Sequence, residues 1–104
     1  MVDAWTALSD PTRREMFARL ARTPLSGTAL AAGLPVSRPA VSQHLRLLKQ
    51  VGLVQLTASG REHIYRARLA GLEELRVELD GFWASALANF KQIASQSRVH
   101  DERE

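Results

Sequence analysis

The sequence predicts a mainly α-helical domain, with about five helices and one small β-hairpin, and three observations lead there. Apolar residues recur at i, i+3 and i+4 through the first half of the chain, in segments punctuated by Pro or Gly. After Gly52 the period shortens to two residues, and from Leu72 the helical period returns over a long uninterrupted stretch. At 104 residues and 45% hydrophobic content, one domain with a modest core fits, near the size where a partner subunit often adds stability.

Each element has a local cause. Ala4–Leu8 reads as a short first helix with Trp5 and Leu8 on one side. Ser9 or Asp10 caps a second helix, with Pro11 in its first turn. Met16, Phe17 and Leu20 give that helix its apolar face, and Thr23-Pro24 stops it. Ser26 begins a third, short helix with Leu30 and Ala31 facing inward, ended by Gly33. The Gly33-Leu-Pro-Val36 turn leads to a fourth, with Ser37 as N-cap, Pro39 in the first turn and Gly52 closing it. Helix, tight Gly-containing turn, helix is helix-turn-helix spacing, which an αα-hairpin in an ordinary bundle can share.

Val54-Gln-Leu-Thr57 then alternates apolar and polar, Ala58-Ser-Gly-Arg61 is turn-like, and His63–Leu69 is strand-like again. This predicts a β-hairpin with its tip near Gly60 and Arg61. A helix-turn-helix followed at once by a basic-tipped hairpin is a winged helix.

From Leu72 to about Ser95, Leu72, Leu75, Leu79, Phe82, Trp83, Ala86, Leu87, Phe90 and Ile93 follow helical spacing. A helix of that length spans about 36 Å, longer than such a core needs. Its apolar face is wide enough to cover its own domain and leave surface over. With Trp5 and Leu8, the residues Leu79, Phe82, Trp83, Ala86, Leu87 and Phe90 are expected to form a two-fold dimer interface. Packing within one chain is the other possibility. The domain therefore covers residues 1–97, with a dimerisation helix at 72–95, and the polar stretch 98–104 is expected to be a frayed, disordered tail.

Charge is unevenly spread. The net charge is +3, yet residues 22–68 carry +6, with Glu62 as the one acid, while both flanks are neutral or acidic. A basic middle of this kind is an electrostatic footprint for a polyanion. The fourth helix sharpens it. At 100° per residue, Val41, Leu45 and Leu48 share a core-facing side, and Pro39, Gln43, Arg46 and Gln50 lie opposite with Ser42 beside them. Arg38 and Arg46 suit guanine O6/N7 or phosphate, Gln43 suits adenine, and Ser37 and Ser42 can donate to phosphate or a base edge. Pro39 and Ala40 offer apolar contact, for instance with a thymine methyl. His44 lies nearer the buried edge, suited to packing, hydrogen bonding or one phosphate. Arg61 at the tip suits phosphate or the minor groove, and Arg66, with Arg68, extends that contact along the strand. The partner these residues suit is double-stranded DNA, read by a helix at 37–50.

Asp10-Pro-Thr-Arg-Arg14, Ser37-Arg-Pro-Ala-Val-Ser-Gln-His-Leu-Arg-Leu-Leu48, Gly52-Leu-Val54 and Gly60-Arg61 with Ile64-Tyr-Arg66 together resemble the ArsR/SmtB family of bacterial winged-helix regulators. The similarity runs in order over roughly residues 4–95. It implies a homodimer paired through its first and last helices that binds an imperfect inverted repeat and usually represses transcription. Metal-sensing relatives carry a Cys-x-Cys-type pair near the third helix, or an Asp/His set on the last. This chain has no Cys, and Ser26–Gly33 holds no strong ligand. The last helix has Glu73, Glu74, Glu78 and Asp80 but no His, which reads as a solvated face, and His44, His63 and His100 are scattered. The resemblance is therefore to a branch that does not sense metals, with no metal site and no cofactor expected.

Other classes fare worse. A winged helix used as a protein-interaction module, without specific DNA binding, would carry apolar or acidic residues on the outer face of its fourth helix. An enzyme would need a catalytic constellation, whereas Ser42 and His44 point roughly 160° apart on one helix and no phosphate loop or nucleophile motif is present. No apolar run approaches the roughly 18 residues of a membrane span, and the first residues lack a basic-then-apolar signal. The expected location is the cytoplasm. A small-molecule inducer leaves no mark in the sequence.

Overall fold

The computed structural model describes residues 3–102, with side chains described through residue 96. Five helices and three short strands follow in the order α1 (Ala4–Ser9), α2 (Pro11–Arg22), β1 (Leu25–Ser26), α3 (Gly27–Ala32), α4 (Arg38–Gln50), β2 (Val54–Ser59), β3 (Glu62–Ala67) and α5 (Leu69–Glu102).

The helix starts are made by capping side chains. Asp3, Asp10, Ser26 and Ser37 each accept from backbone N–H groups of the first turn they precede, which would otherwise lack partners. Asp10 is the α2 cap, accepting from Thr12 N at 2.7 Å and Arg13 N at 3.1 Å. The Arg13 N–H bond, the Thr12 N–H bond and the nearby charge of Arg13 hold its carboxyl below the usual range, against partial desolvation. Asp10→Ala should cost about 1 kcal/mol of stability at neutral pH. Because the folded-state pKa is lowered, this contribution is complete above the ordinary carboxylate value and is lost as pH falls through the lowered one. Urea titrations of both proteins should show the stability gap closing on acidification; a gap that widens would contradict the cap.

Helix α4 ends in a Schellman turn. Leu53 N reaches back to Leu48 O and Gly52 N to Lys49 O, with Gly52 at φ 82°, a conformation open to glycine and costly for most side chains. That reversal feeds the hairpin, in which Val54 pairs with Ala67 and Ser59 with Glu62, leaving Gly60-Arg61 as a two-residue tip. A third strand joins it. Leu25 pairs with Tyr65 and Ser26 with Ile64, so the antiparallel sheet has the order β1-β3-β2. Strand β1 leaves no mark in the sequence, because two residues are too few to show a period.

Ala7, Met16, Phe17, Leu20, Leu30, Val41, Leu45, Leu48, Leu53 and Val54 form the core, drawn from α1 to α4 and the root of the wing. Helix α5 stands apart from it. It has 34 residues, about 51 Å of helix, and makes the molecule 74 Å long against 26 Å in the other two directions. Its first turn packs against the Schellman turn: Gly71 is buried so close to the Gly52 carbonyl that a Cβ there would collide with it.

The helix boundaries differ from the expected 72–95. It begins at Leu69, where β3 has already ended at Ala67, and runs through the stretch expected to be a frayed tail. Gln96-Ser-Arg-Val-His-Asp-Glu102 is polar but contains neither Gly nor Pro, so polarity gives the backbone no reason to leave the helix. Residues 103 and 104 lie outside the described residues. Among the described residues no helix is long and apolar enough to cross a membrane.

Candidate nucleic-acid interface

Helix α4 buries Val41, Leu45 and Leu48 against the core and leaves Ser37, Arg38, Pro39, Ser42, Gln43, Arg46, Lys49 and Gln50 exposed. Ala40 and His44 are half-buried at the boundary. The polar face thus stands free, on a helix whose orientation three buried aliphatic side chains determine.

Arg38 is held rather than loose. Its Nη1 donates to Ser42 Oγ at 3.2 Å, one turn along α4, and its Nη2 reaches Thr28 Oγ1 on α3 at 3.5 Å. The guanidinium passes over Gly27, where a Cβ would come within 2.9 Å of it. Beyond Arg38, an open groove of about 580 Å³ runs to the wing, where Arg61, His63 and Tyr65 line its far wall. The groove places the first turn of α4 and the hairpin tip on one continuous surface. Arg66 is exposed on β3.

Arg68 does not join that surface. It lies past the end of β3, and its Nη1 donates to Gly52 O at 3.1 Å while its own N–H bonds Leu53 O at 2.7 Å. The α4–β2 reversal leaves a carbonyl to satisfy, and the strand's alternation stops one residue too early to carry Arg68 outward. His44 is engaged from the opposite side, where Arg13 Nη1 lies 3.3 Å from His44 Nδ1. Thr28 and Arg13 were invisible as site residues in sequence, because their partners are 10 and 31 positions away.

The second surface is the stripe on α5. Phe82 is 67% exposed and Phe90 68%, with Leu79, Trp83 and Leu87 also exposed and Ala86 between them. Trp5 closes against the root of this stripe, its Nε1 donating to Glu78 Oε2 at 2.6 Å and its ring meeting Phe82 edge to face at 6.1 Å. Glu78 is therefore an indole acceptor, unlike Glu73 and Asp80, which flank Arg76 on the exposed side. Leu8 is half-buried against the chain's own core.

The chain is 49% identical over 90 residues to the HTH-type transcriptional regulator Rv2034 of Mycobacterium tuberculosis, covering 86% of this chain and 84% of that one. The solved structure of an ArsR-like transcriptional regulator from Rhodococcus sp. RHA1 superposes with a TM-score of 0.71 at 43% identity, over 86% of this chain and 88% of the other. The chain belongs to the ArsR/SmtB family of winged helix-turn-helix transcriptional regulators.

A helix-turn-helix domain family matches residues 8–57, from the end of α1 into β2. The transcriptional repressor SmtB homolog of Synechocystis is 40% identical over 65 residues, 62% of this chain and 49% of that protein, so the chain spans about half that relative's length. In this ArsR/SmtB member, α3 (Gly27–Ala32) carries no Cys, His, Asp or Glu. Among the described residues no three such side chains gather as a metal-ligand set.

Proposed function

We propose that this ArsR/SmtB member is a homodimeric, sequence-specific DNA-binding repressor acting in the cytoplasm. Two α4 helices enter successive major grooves of an inverted repeat, and the wing near Arg61 and Arg66 rests on the adjoining backbone. The observation that carries the reading is the exposed, acid-free face of α4, continuous through the groove with the hairpin tip. In this reading Ser37, Arg38, Pro39, Ala40, Ser42, Gln43 and Arg46 meet the groove, and His44 reaches at most one phosphate. Trp5, Leu79, Phe82, Trp83, Ala86, Leu87 and Phe90 meet their counterparts across the two-fold, with Leu8 at its margin. The lack of Cys anywhere, and of ligand residues on α3, supports a regulator that does not respond to metals.

Selection of duplexes from a random-sequence pool, followed by titration of variants, tests this. Arg38→Ala or Gln43→Ala should relax preference at particular positions, at about 1–3 kcal/mol each. Arg61→Ala should weaken all sequences nearly uniformly and lower the salt slope by about 1. A chain that enriches no sequence, and shifts no duplex even at low salt, is a protein-interaction module instead.

A further inference from the structure

Arg13 is the most fully engaged charged side chain among the described residues. Its side chain is only 14% exposed, and each nitrogen of its guanidinium has a destination. Nε donates to Ala7 O at 2.7 Å and Nη2 to Thr6 O at 3.3 Å, both carbonyls in the last turn of α1. Nη1 lies 3.7 Å from Asp10 Oδ2, the cap of α2, and 3.3 Å from His44 Nδ1 on α4. Guanidinium can only donate, so Nδ1 accepts and His44 carries its proton on Nε2. Among the described residues this is the one hydrogen-bonded side-chain link from α1 to α4. At its other end, α1 carries Trp5, which joins α1 to α5 through Glu78 and Phe82.

We infer that Arg13 is a positioning residue that ties the angle of the DNA-reading helix to the helices of the dimer seam, with His44 as its point of hold on α4. The inference rests on the dimeric DNA-binding reading above. A rigid connection from seam to α4 determines how far apart, and at what rotation, the two α4 helices stand. Inserting one base pair between half-sites moves one of them by about 3.4 Å along the duplex and rotates it, which a stiff dimer cannot follow. Arg13 would thus determine which half-site spacing is accepted without touching a base.

The test uses the full chain and the duplex it selects from the random pool, beside the same duplex lengthened by one base pair between its half-sites. The wild type should lose at least about tenfold in affinity on the longer duplex. Arg13→Met should lose less than half of that factor, with single half-site binding retained. Loss of spacing discrimination is not what mere destabilisation produces, since that lowers the competent fraction equally on both duplexes. His44 supplies an independent arm should Arg13→Met not fold. His44→Asn places an acceptor oxygen where Nδ1 stood and should keep the spacing preference whatever its overall affinity, whereas His44→Leu should lose it. If His44→Leu keeps the wild-type spacing preference, or a folded Arg13→Met does, the inference is overturned while the DNA-binding reading stands. A wild-type chain that enriches no sequence overturns both.

Discussion

Trp83→Glu/Phe90→Glu should yield a folded monomer that has lost roughly 10²- to 10⁴-fold in affinity for an inverted repeat. The two positions lie one heptad apart on the same side of α5 and are 58% and 68% exposed within the protomer. Carboxylates there stay in water while the chain is alone, so the protomer fold should be nearly unaffected. In a two-fold seam the same groups would be buried unpaired, a penalty of about several kcal/mol per ion, in place of aromatic side chains that each contribute about 1.5–3 kcal/mol when buried. Without the seam, the second half-site no longer benefits from millimolar effective concentration, which is where the large factor in affinity arises. Sedimentation should report the monomer, circular dichroism the retained helices, and a mobility shift the lost affinity. A variant that remains dimeric would show that this stripe is not the seam.

Leu48→Ala should destabilise the fold by about 2–5 kcal/mol, a large part of the 5–15 kcal/mol typical of a domain. Leu48 is fully buried on α4, and its carbonyl also accepts the Leu53 N–H of the Schellman turn. The cavity would lie between α4 and the root of the wing, so the two elements should loosen together. Arg46→Ala, two residues away and exposed, should change stability by no more than about 0.5 kcal/mol. Urea unfolding of the two variants provides the contrast. A cost below about 1 kcal/mol for Leu48→Ala would mean that α4 is held elsewhere.

The helices were legible because their causes are local. Ser37, Asp10 and Ser26 cap within three residues of the groups they satisfy, and Val41, Leu45 and Leu48 mark their buried side by spacing alone. The hairpin was legible for the same reason, with Gly60-Arg61 between two alternating runs. What escaped was set by partners far along the chain. Arg68 looked like one more outward cation until the Gly52 carbonyl claimed it, and β1 exists only because Tyr65 and Ile64 lie beside it. The end of α5 is hard to place for a different reason: Gln96–Glu102 is polar but holds no breaker, so composition alone does not mark where the helix stops.

Periodicity, caps and turn residues thus sufficed for the winged fold and for the exposed polar face of α4, because each depends on residues within a turn or two of one another, while the family followed from the resemblance of whole motifs. Only the folded chain could decide which polar side chains stay free and which are enlisted as struts. Arg38 and Arg13 are the same residue type in the sequence. One is held at the groove by Ser42 and Thr28, and the other is withdrawn to join α1, α2 and α4. The difference lies in which carbonyls and rings the fold brings within about 3 Å of each guanidinium, and that distance is set by packing.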